Sequence, residues 1–293
     1  MTIVVQVLEI VAPVFILALI GFVWVKAGGE YRVQFVTRLA MTLSVPCLIF
    51  VSLMKTRIDP AALTELVAAT LACYGLMTVA AFALSRAINL DARTYIAPII
   101  FGNTGNLGLP LALFAFGEAG LGYAVVIFAV MAIISFTFGV WLVSGGGSVT
   151  KVFREPMVAA TLLGGVFMLM GWTTPAWATN TLQLIGQMAI PLMLITLGVA
   201  VARLHPSGFA RPVLVSLLKV IVAVGIAWSV GIFFDLGTIP FAVLVLQIST
   251  PVAVTSYLLA EKYDADSDAV AGLVVVSTLI SVVAIPLTLA MLV

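Results

Sequence analysis

The stretch Gly102-Asn103-Thr104-Gly105-Asn106-Leu107-Gly108-Leu109-Pro110 interrupts an apolar segment running from about 94 to 116. A second stretch, Gln247-Ile248-Ser249-Thr250-Pro251, interrupts another from about 238 to 260. Glycine weakens a helix, and proline removes an N–H and obstructs the carbonyl four residues before it, so each stretch splits its helix into two halves. Unwound backbone at membrane depth survives only against protein or a watery cavity, because an unpaired amide costs several kcal/mol in hydrocarbon. Paired interruptions in corresponding segments are the sequence mark of a transport site.

Composition fixes the compartment. Apolar residues make up 63% of the 293 and charged residues 9%, with a mean hydropathy of +1.28, whereas a soluble domain carries roughly 25% charge. A multi-pass membrane protein follows, with the lipid bilayer as its main partner. The net charge is +1 and the basic residues are scattered over short joints, which argues against nucleic acid as a partner. Cys47 and Cys73 lie in apolar segments and read as small core residues, neither a disulfide nor a metal pair. The first apolar run has no basic region before it and reads as a retained helix.

Ten segments approach the roughly 20 residues that cross a hydrocarbon core. They cover 5–25, 34–53, 61–84, 94–116, 121–143, 156–172, 180–201, 212–234, 238–260 and 268–292. None alternates as barrel strands do, so the expected class is all-α. Joints after odd-numbered segments hold Lys26, Arg32, Arg38, Arg86, Arg93, Lys151, Arg154, Arg203, Arg211 and Lys262, while those after even-numbered ones hold only Lys55 and Arg57. The asymmetry places the first set in the cytoplasm and both termini outside.

The longest joint, 144–155, opens with the flexible Ser144-Gly145-Gly146-Gly147-Ser148 and separates two halves of five segments, 1–143 and 156–293. An odd number of spans per half turns the halves over relative to one another. Leu43-Ser44-Val45-Pro46-Cys47-Leu48-Ile49 corresponds to Met188-Ala189-Ile190-Pro191-Leu192-Met193-Leu194, and the Asn103 and Thr250 interruptions share a similar offset. Single prolines commonly kink membrane helices; two pairs at one offset mark an inverted repeat.

At each interruption the second half-helix starts with free N–H groups and roughly half a positive charge, which suits an anion. Asn103 and Asn106 add amide donors, and Ser249 and Thr250 add hydroxyls, none carrying a buried charge. The candidate substrate-binding residues are Asn103, Thr104, Gly105, Asn106, Gln247, Ser249, Thr250 and Pro251. Gly102, Gly108, Pro110, Pro46 and Pro191 are the candidate helix breakers. For Asn106 and Ser249 the alternative is that the side chain only repairs broken backbone.

The stretch 102–111 followed by Phe116-Gly117-Glu118-Ala119-Gly120, and the block from Thr250-Pro251-Val252-Ala253-Val254-Thr255 to Tyr263, resemble the auxin efflux carrier family. The family includes plant auxin exporters and bacterial permeases of malate and other organic acids. The resemblance implies a fold related to sodium/proton antiporters and bile-acid symporters: two inverted five-helix repeats with broken helices 4 and 9 crossing. Helices 1, 2, 6 and 7 would be a scaffold joining a homodimer, and helices 3–5 and 8–10 an elevator-like transport domain. Asn103 and Thr250-Pro251 match the family's crossover positions that face a substrate carboxylate. The chain lacks a long central insert, which points to a bacterial inner-membrane member.

The expected activity is therefore secondary transport of a small organic anion, an auxin-like monocarboxylate or a malate-like dicarboxylate. A sodium-coupled bile-acid-like symporter is the alternative. No Walker loop, HExxH helix or Cys/His cluster occurs, so no catalytic residue, metal or cofactor is expected, and a membrane-embedded enzyme or a channel is disfavoured. Lys219 is expected to snorkel to the cytoplasmic face, with balance of substrate charge as its other role. Glu9 and Glu65 read as solvated, Asp235 as interfacial at the outer end of the eighth segment, and His205 as a loop residue. Gln247, Ser277 and Thr278 either ligate a coupling cation or join helices.

Overall fold

The computed structural model describes residues 3–55, 60–145, 156–203 and 210–292, which are helical with no β-strand among them. Residues 146–155 of the central joint, with Lys151 and Arg154, lie outside the described residues, as do Arg57 and His205.

The helices are α1 (Ile3–Lys26), α2 (Val33–Leu39), α3 (Val45–Lys55), α4 (Pro60–Ala87), α5 (Ala92–Ile100), α6 (Leu109–Ile134) and α7 (Val140–Ser144). The second half of the chain holds α8 (Pro156–Met170), α9 (Ala176–Gln187), α10 (Ala189–Arg203), α11 (Ala210–Phe233), α12 (Thr238–Ile248), α13 (Val254–Lys262) and α14 (Ser267–Leu292). Seven helical stretches among the described residues are long and apolar enough to cross a membrane: Val7–Lys26, Val33–Lys55, Ala61–Ala87, Thr104–Ser144, Ala176–Arg203, Ala210–Phe233 and Ser267–Leu292. Two shorter ones, Ala159–Met170 and Thr238–Ile248, are also apolar.

The stretch Thr104–Ser144 has 41 residues, and a straight helix of that length would extend roughly 60 Å, twice a hydrocarbon core. It is not straight. Gly117 stands at φ +63°, ψ −158°, a conformation closed to residues with a Cβ, and divides it into two helices. The expected joint between segments 94–116 and 121–143 falls there.

Burial is inverted relative to a soluble protein. Leu8, Leu19, Trp24, Val79, Leu163, Ile221, Phe233 and Val283 are exposed, while Thr104, Lys219, Gln247 and Thr250 are buried. Apolar surface on this scale suits lipid rather than water. α1 packs on α10, and α3 on α8 and α9, while α4, α6, α12 and α14 gather around α11 and one another.

Two expected breaks are corrected. At Pro46 the helix stays right-handed: Ala40–Ser44 form a π-helical turn in which the Val45 amide reaches back to Ala40. The wider turn relieves the contact the proline ring would make with the preceding carbonyl, so the chain bulges without unwinding. Pro191 is the third residue of α10, which follows α9 after the single residue Met188. Neither proline creates an unwound site.

Candidate functional site

In the first interruption, α5 is capped by the Asp91 carboxylate, which accepts from the Thr94 amide at 2.9 Å and its hydroxyl at 2.6 Å. The chain leaves the helix at Phe101 in extended form, passes through Gly102 and turns at Asn103 (φ −82°, ψ 52°). The Asn103 carbonyl accepts the amides of both Leu107 and Gly108 at 3.1 Å. A π-helical turn, Thr104–Gly108, follows and leads into α6, with Pro110 in its first turn where a missing N–H is harmless.

In the second, α12 ends at Ile248 and α13 begins at Val254, with Ala253 extended before it. The Ser249 hydroxyl donates to the Leu246 carbonyl at 3.0 Å, and the Thr250 hydroxyl to the Gln247 carbonyl at 2.7 Å. Both protons are spent on carbonyls of the last turn of α12, so these two hydroxyls repair the backbone and do not offer donors to an anion. The Val252 amide donates to Ser277 Oγ at 3.0 Å, which assigns Ser277 to joining α14 to the break.

The two interruptions meet. Gly102 and Val252 form an isolated antiparallel bridge, and the Asn103 amide donates to the Pro251 carbonyl at 2.7 Å. A Cβ at Gly102 would overlap Thr250 Oγ1, and one at Gly108 would overlap Gln247 Oε1, so these glycines set how closely the two segments approach. Around the meeting point several polar atoms are buried without partners: Asn103 Nδ2, Thr104 Oγ1 and both amide atoms of Gln247. Buried polar groups are normally satisfied, so this cluster of orphans makes the meeting point the candidate site.

A cavity of about 710 Å³ adjoins this region, lined among others by Asn106, Val254, Thr255, Tyr257, Thr196 and Arg203. Its volume suits a small organic ligand. The first turn of α13 opens onto it at Val254 and Thr255, while the Ser256 amide that follows donates to the Ala253 carbonyl at 3.0 Å. Of the eight candidate binding residues, Asn106 alone lines the cavity. Asn103, Thr104, Gln247 and Thr250 lie buried behind it, and Gly105 packs against Phe128 and Met193.

Residues absent from the sequence-derived set complete the wall. The Tyr31 hydroxyl pairs with Thr196 Oγ1 at 2.8 Å, and Arg203 donates to the Tyr31 carbonyl at 2.6 Å. Half-burial pushes the Tyr31 phenol above its ordinary pKa, with the Thr196 bond pulling part of the way back, so it stays neutral. Arg203 and Tyr31 were visible only as joint residues, while Thr255 sat inside the second family-like block. Lys219 also departs from expectation: it is 3% exposed and donates to the Thr250 carbonyl at 2.7 Å instead of reaching the membrane surface.

The family model described as Membrane transport protein matches residues 6–152 and 140–289. The chain belongs to this family of transporters, that of the auxin efflux carriers. An uncharacterized transporter of Methanothermobacter thermautotrophicus is 29% identical over 293 residues, covering 95% of this chain and 96% of that one. Another, from Methanocaldococcus jannaschii, is 22% identical over 302 residues, covering 96% and 97%. Membership makes this multi-pass membrane protein a transport protein rather than an enzyme. Among the described residues of the transporter no three His, Cys, Asp or Glu side chains cluster as metal ligands.

Proposed function

We propose that this transporter carries a small organic anion, an auxin-like monocarboxylate or a malate-like dicarboxylate, across the cytoplasmic membrane by alternating access. The observation that carries the reading is the meeting of the two interruptions beside a cavity that holds Asn106 and the N-terminal turn of α13. Free amides, a half-helix dipole and uncharged amide side chains make a site for a carboxylate. Arg203 at the cavity supplies positive potential for an approaching anion, while Arg32 is paired with Glu30 at 2.7 Å.

The ten-span, inverted-repeat arrangement with crossing broken helices fits this reading. A second cavity of about 260 Å³ is lined by Val51, Lys55, Leu113, Glu118, Gln183 and Pro191. The large cavity takes the early residues of α2 and the late residues of α10; the small one takes α3, α9 and the start of α10. The two cavities thus lie toward opposite ends of α10, which supports access from either side in turn. The packing of α1, α3, α8, α9 and α10 as one group, and of α4, α6, α11, α12 and α14 as another, supports a scaffold and a mobile elevator domain. The scaffold is then the surface for a homodimer.

The test is thermal-shift screening of purified protein against a panel of organic acids, followed by uptake into vesicles. At least one carboxylate is expected to raise the melting temperature and to be taken up saturably with countertransport. A panel that yields neither effect rejects the organic-anion reading, and non-saturating flux replaces the carrier with a channel.

A further inference from the structure

Met193, Thr196, Ala200 and Arg203 follow one another at three- or four-residue spacing on α10 and line the large cavity as one face of that helix. This face holds the joint before α2 at two points. The Thr196 hydroxyl donates to the Leu192 carbonyl at 2.6 Å, so the Tyr31 hydroxyl is the donor in their 2.8 Å pair. Arg203 Nη2 donates to the Tyr31 carbonyl at 2.6 Å. A guanidinium carries five N–H donors in a planar fork, and this is the one side-chain hydrogen bond of Arg203 among the described residues, none of whose carboxylates pairs with it.

Charge distinguishes the two cavities. Three charged residues line the large one: Arg32 is paired with Glu30 at 2.7 Å, which leaves the charge of Arg203 unbalanced. The small one is lined by Lys55 and Glu118, whose charges offset one another, and the Lys55 ammonium donates to Gln183 Oε1 at 2.8 Å. Lys219 lines neither cavity. The two differ by one positive charge, and a single residue carries it. They also differ in mounting, because Arg203 stands on α10, which packs with α1, whereas Asn106 and Thr255 on the same cavity belong to the two interruptions.

We propose that Arg203 is a substrate-contacting residue of the cytoplasmic mouth, where it takes the carboxylate of the entering anion and sets the affinity on that side of the membrane alone. The proposal rests on the organic-anion reading above and on the charge asymmetry that places the joint after α10 in the cytoplasm. Parallel N–H donors of the fork fit both oxygens of one carboxylate, and the Tyr31 carbonyl holds that fork at the cavity wall. When the interruptions carry the anion toward the other side, Arg203 stays with its own helix and adds nothing to binding there.

The experiment uses the full-length protein in right-side-out and everted membrane vesicles of expressing cells, with indole-3-acetate and L-malate as probes. For a probe that the wild type carries, Arg203→Gln is expected to raise the half-saturating concentration at the cytoplasmic face about fivefold, the scale of a partly exposed ion pair, and to leave the outer face within about twofold. Arg203→Lys keeps the charge but loses the fork, and is expected to fall between wild type and Arg203→Gln. Half-saturation of the wild type is expected to rise with ionic strength at the cytoplasmic face and to stay flat at the outer one. An equal change at both faces gives Arg203 a merely structural role and overturns the proposal, as does no change or a change confined to the outer face. The salt comparison needs no variant, so equal salt sensitivity at both faces overturns the proposal even if Arg203→Gln does not fold. Carriage of neither probe by the wild type overturns the anion reading itself, an outcome distinct from transport that ignores Arg203.

Discussion

The backbone amide of Asn103 donates to the carbonyl of Pro251 over 2.7 Å, with Gly102 paired to Val252 beside it. Each interruption thereby satisfies main-chain groups of the other, which neither could do alone in an apolar interior. The two breaks form one unit, and a change at either is felt at both.

Asn103→Ala separates binding from folding. The Asn103 side-chain nitrogen is buried without a partner, so its removal forfeits no hydrogen bond of the empty protein. Melting is expected to stay close to wild type, while anion affinity falls by the roughly 1.5–3 kcal/mol of a hydrogen bond to a charged group, about ten- to a hundredfold. Isothermal titration of a folded, monodisperse variant decides it, and wild-type affinity removes Asn103 from the site.

Gly102→Ala and Gly108→Ala test the close approach. The added methyl meets Thr250 Oγ1 in one case and Gln247 Oε1 in the other, both buried. Overpacking of this kind costs about 1–3 kcal/mol, read as a lowered melting temperature with lost uptake. Gly75→Ala is the control, because a Cβ there meets nothing within 4 Å in the middle of α4. It should hold stability or raise it by up to about 1 kcal/mol.

Gln247→Leu removes two orphaned amide atoms from a fully buried residue. Replacing an unsatisfied polar group by an apolar one of similar size is neutral or stabilising, by up to about 1–3 kcal/mol. The expected pattern is an unchanged or raised melting temperature together with weaker anion binding. A fall in melting temperature with binding intact would give Gln247 a purely structural role.

Ser249→Ala and Thr250→Val are expected to cost about 1 kcal/mol of stability each, the net value of a neutral hydrogen bond. Their hydroxyl protons already serve the Leu246 and Gln247 carbonyls. Anion affinity should therefore change less than in Asn103→Ala, and an equal loss in the same titration would put these hydroxyls in contact with substrate.

Tyr31→Phe addresses pH. Folding raises the Tyr31 pKa through burial, so the native state favours the protonated phenol. Its contribution is fully present below the unfolded value of about 10 and is lost only as pH rises through the folded value. The melting difference between variant and wild type is expected to be flat from about pH 5 to 9. A slope in that window would mean the phenol ionises there.

Much of the fold was legible because it is local. Runs of apolar residues, the Gly117 joint and the glycines and prolines of the two interruptions act over a few positions, and lipid leaves helices as the answer for such runs. At Pro46 and Pro191 the sequence is less decisive, because whether a proline unwinds a helix depends on how the turn before it can widen. The site was half legible. Asn103 and Asn106 stood out as polar groups in greasy surroundings, but Tyr31, Thr196 and Arg203 are brought to the cavity only by the packing of α1 and α2 on α10.

By itself the sequence determined that this chain lives in a membrane, where its helices run and where two of them come apart, since hydrophobicity and backbone propensity are properties of neighbouring residues. Tertiary structure decided that the breaks join through Asn103 and Pro251, that Ser249 and Thr250 spend their protons on α12, and that Lys219 turns inward to Thr250. A long charged side chain can reach water or a buried carbonyl with equal ease from its own helix. Which one it finds depends on the helix packed beside it.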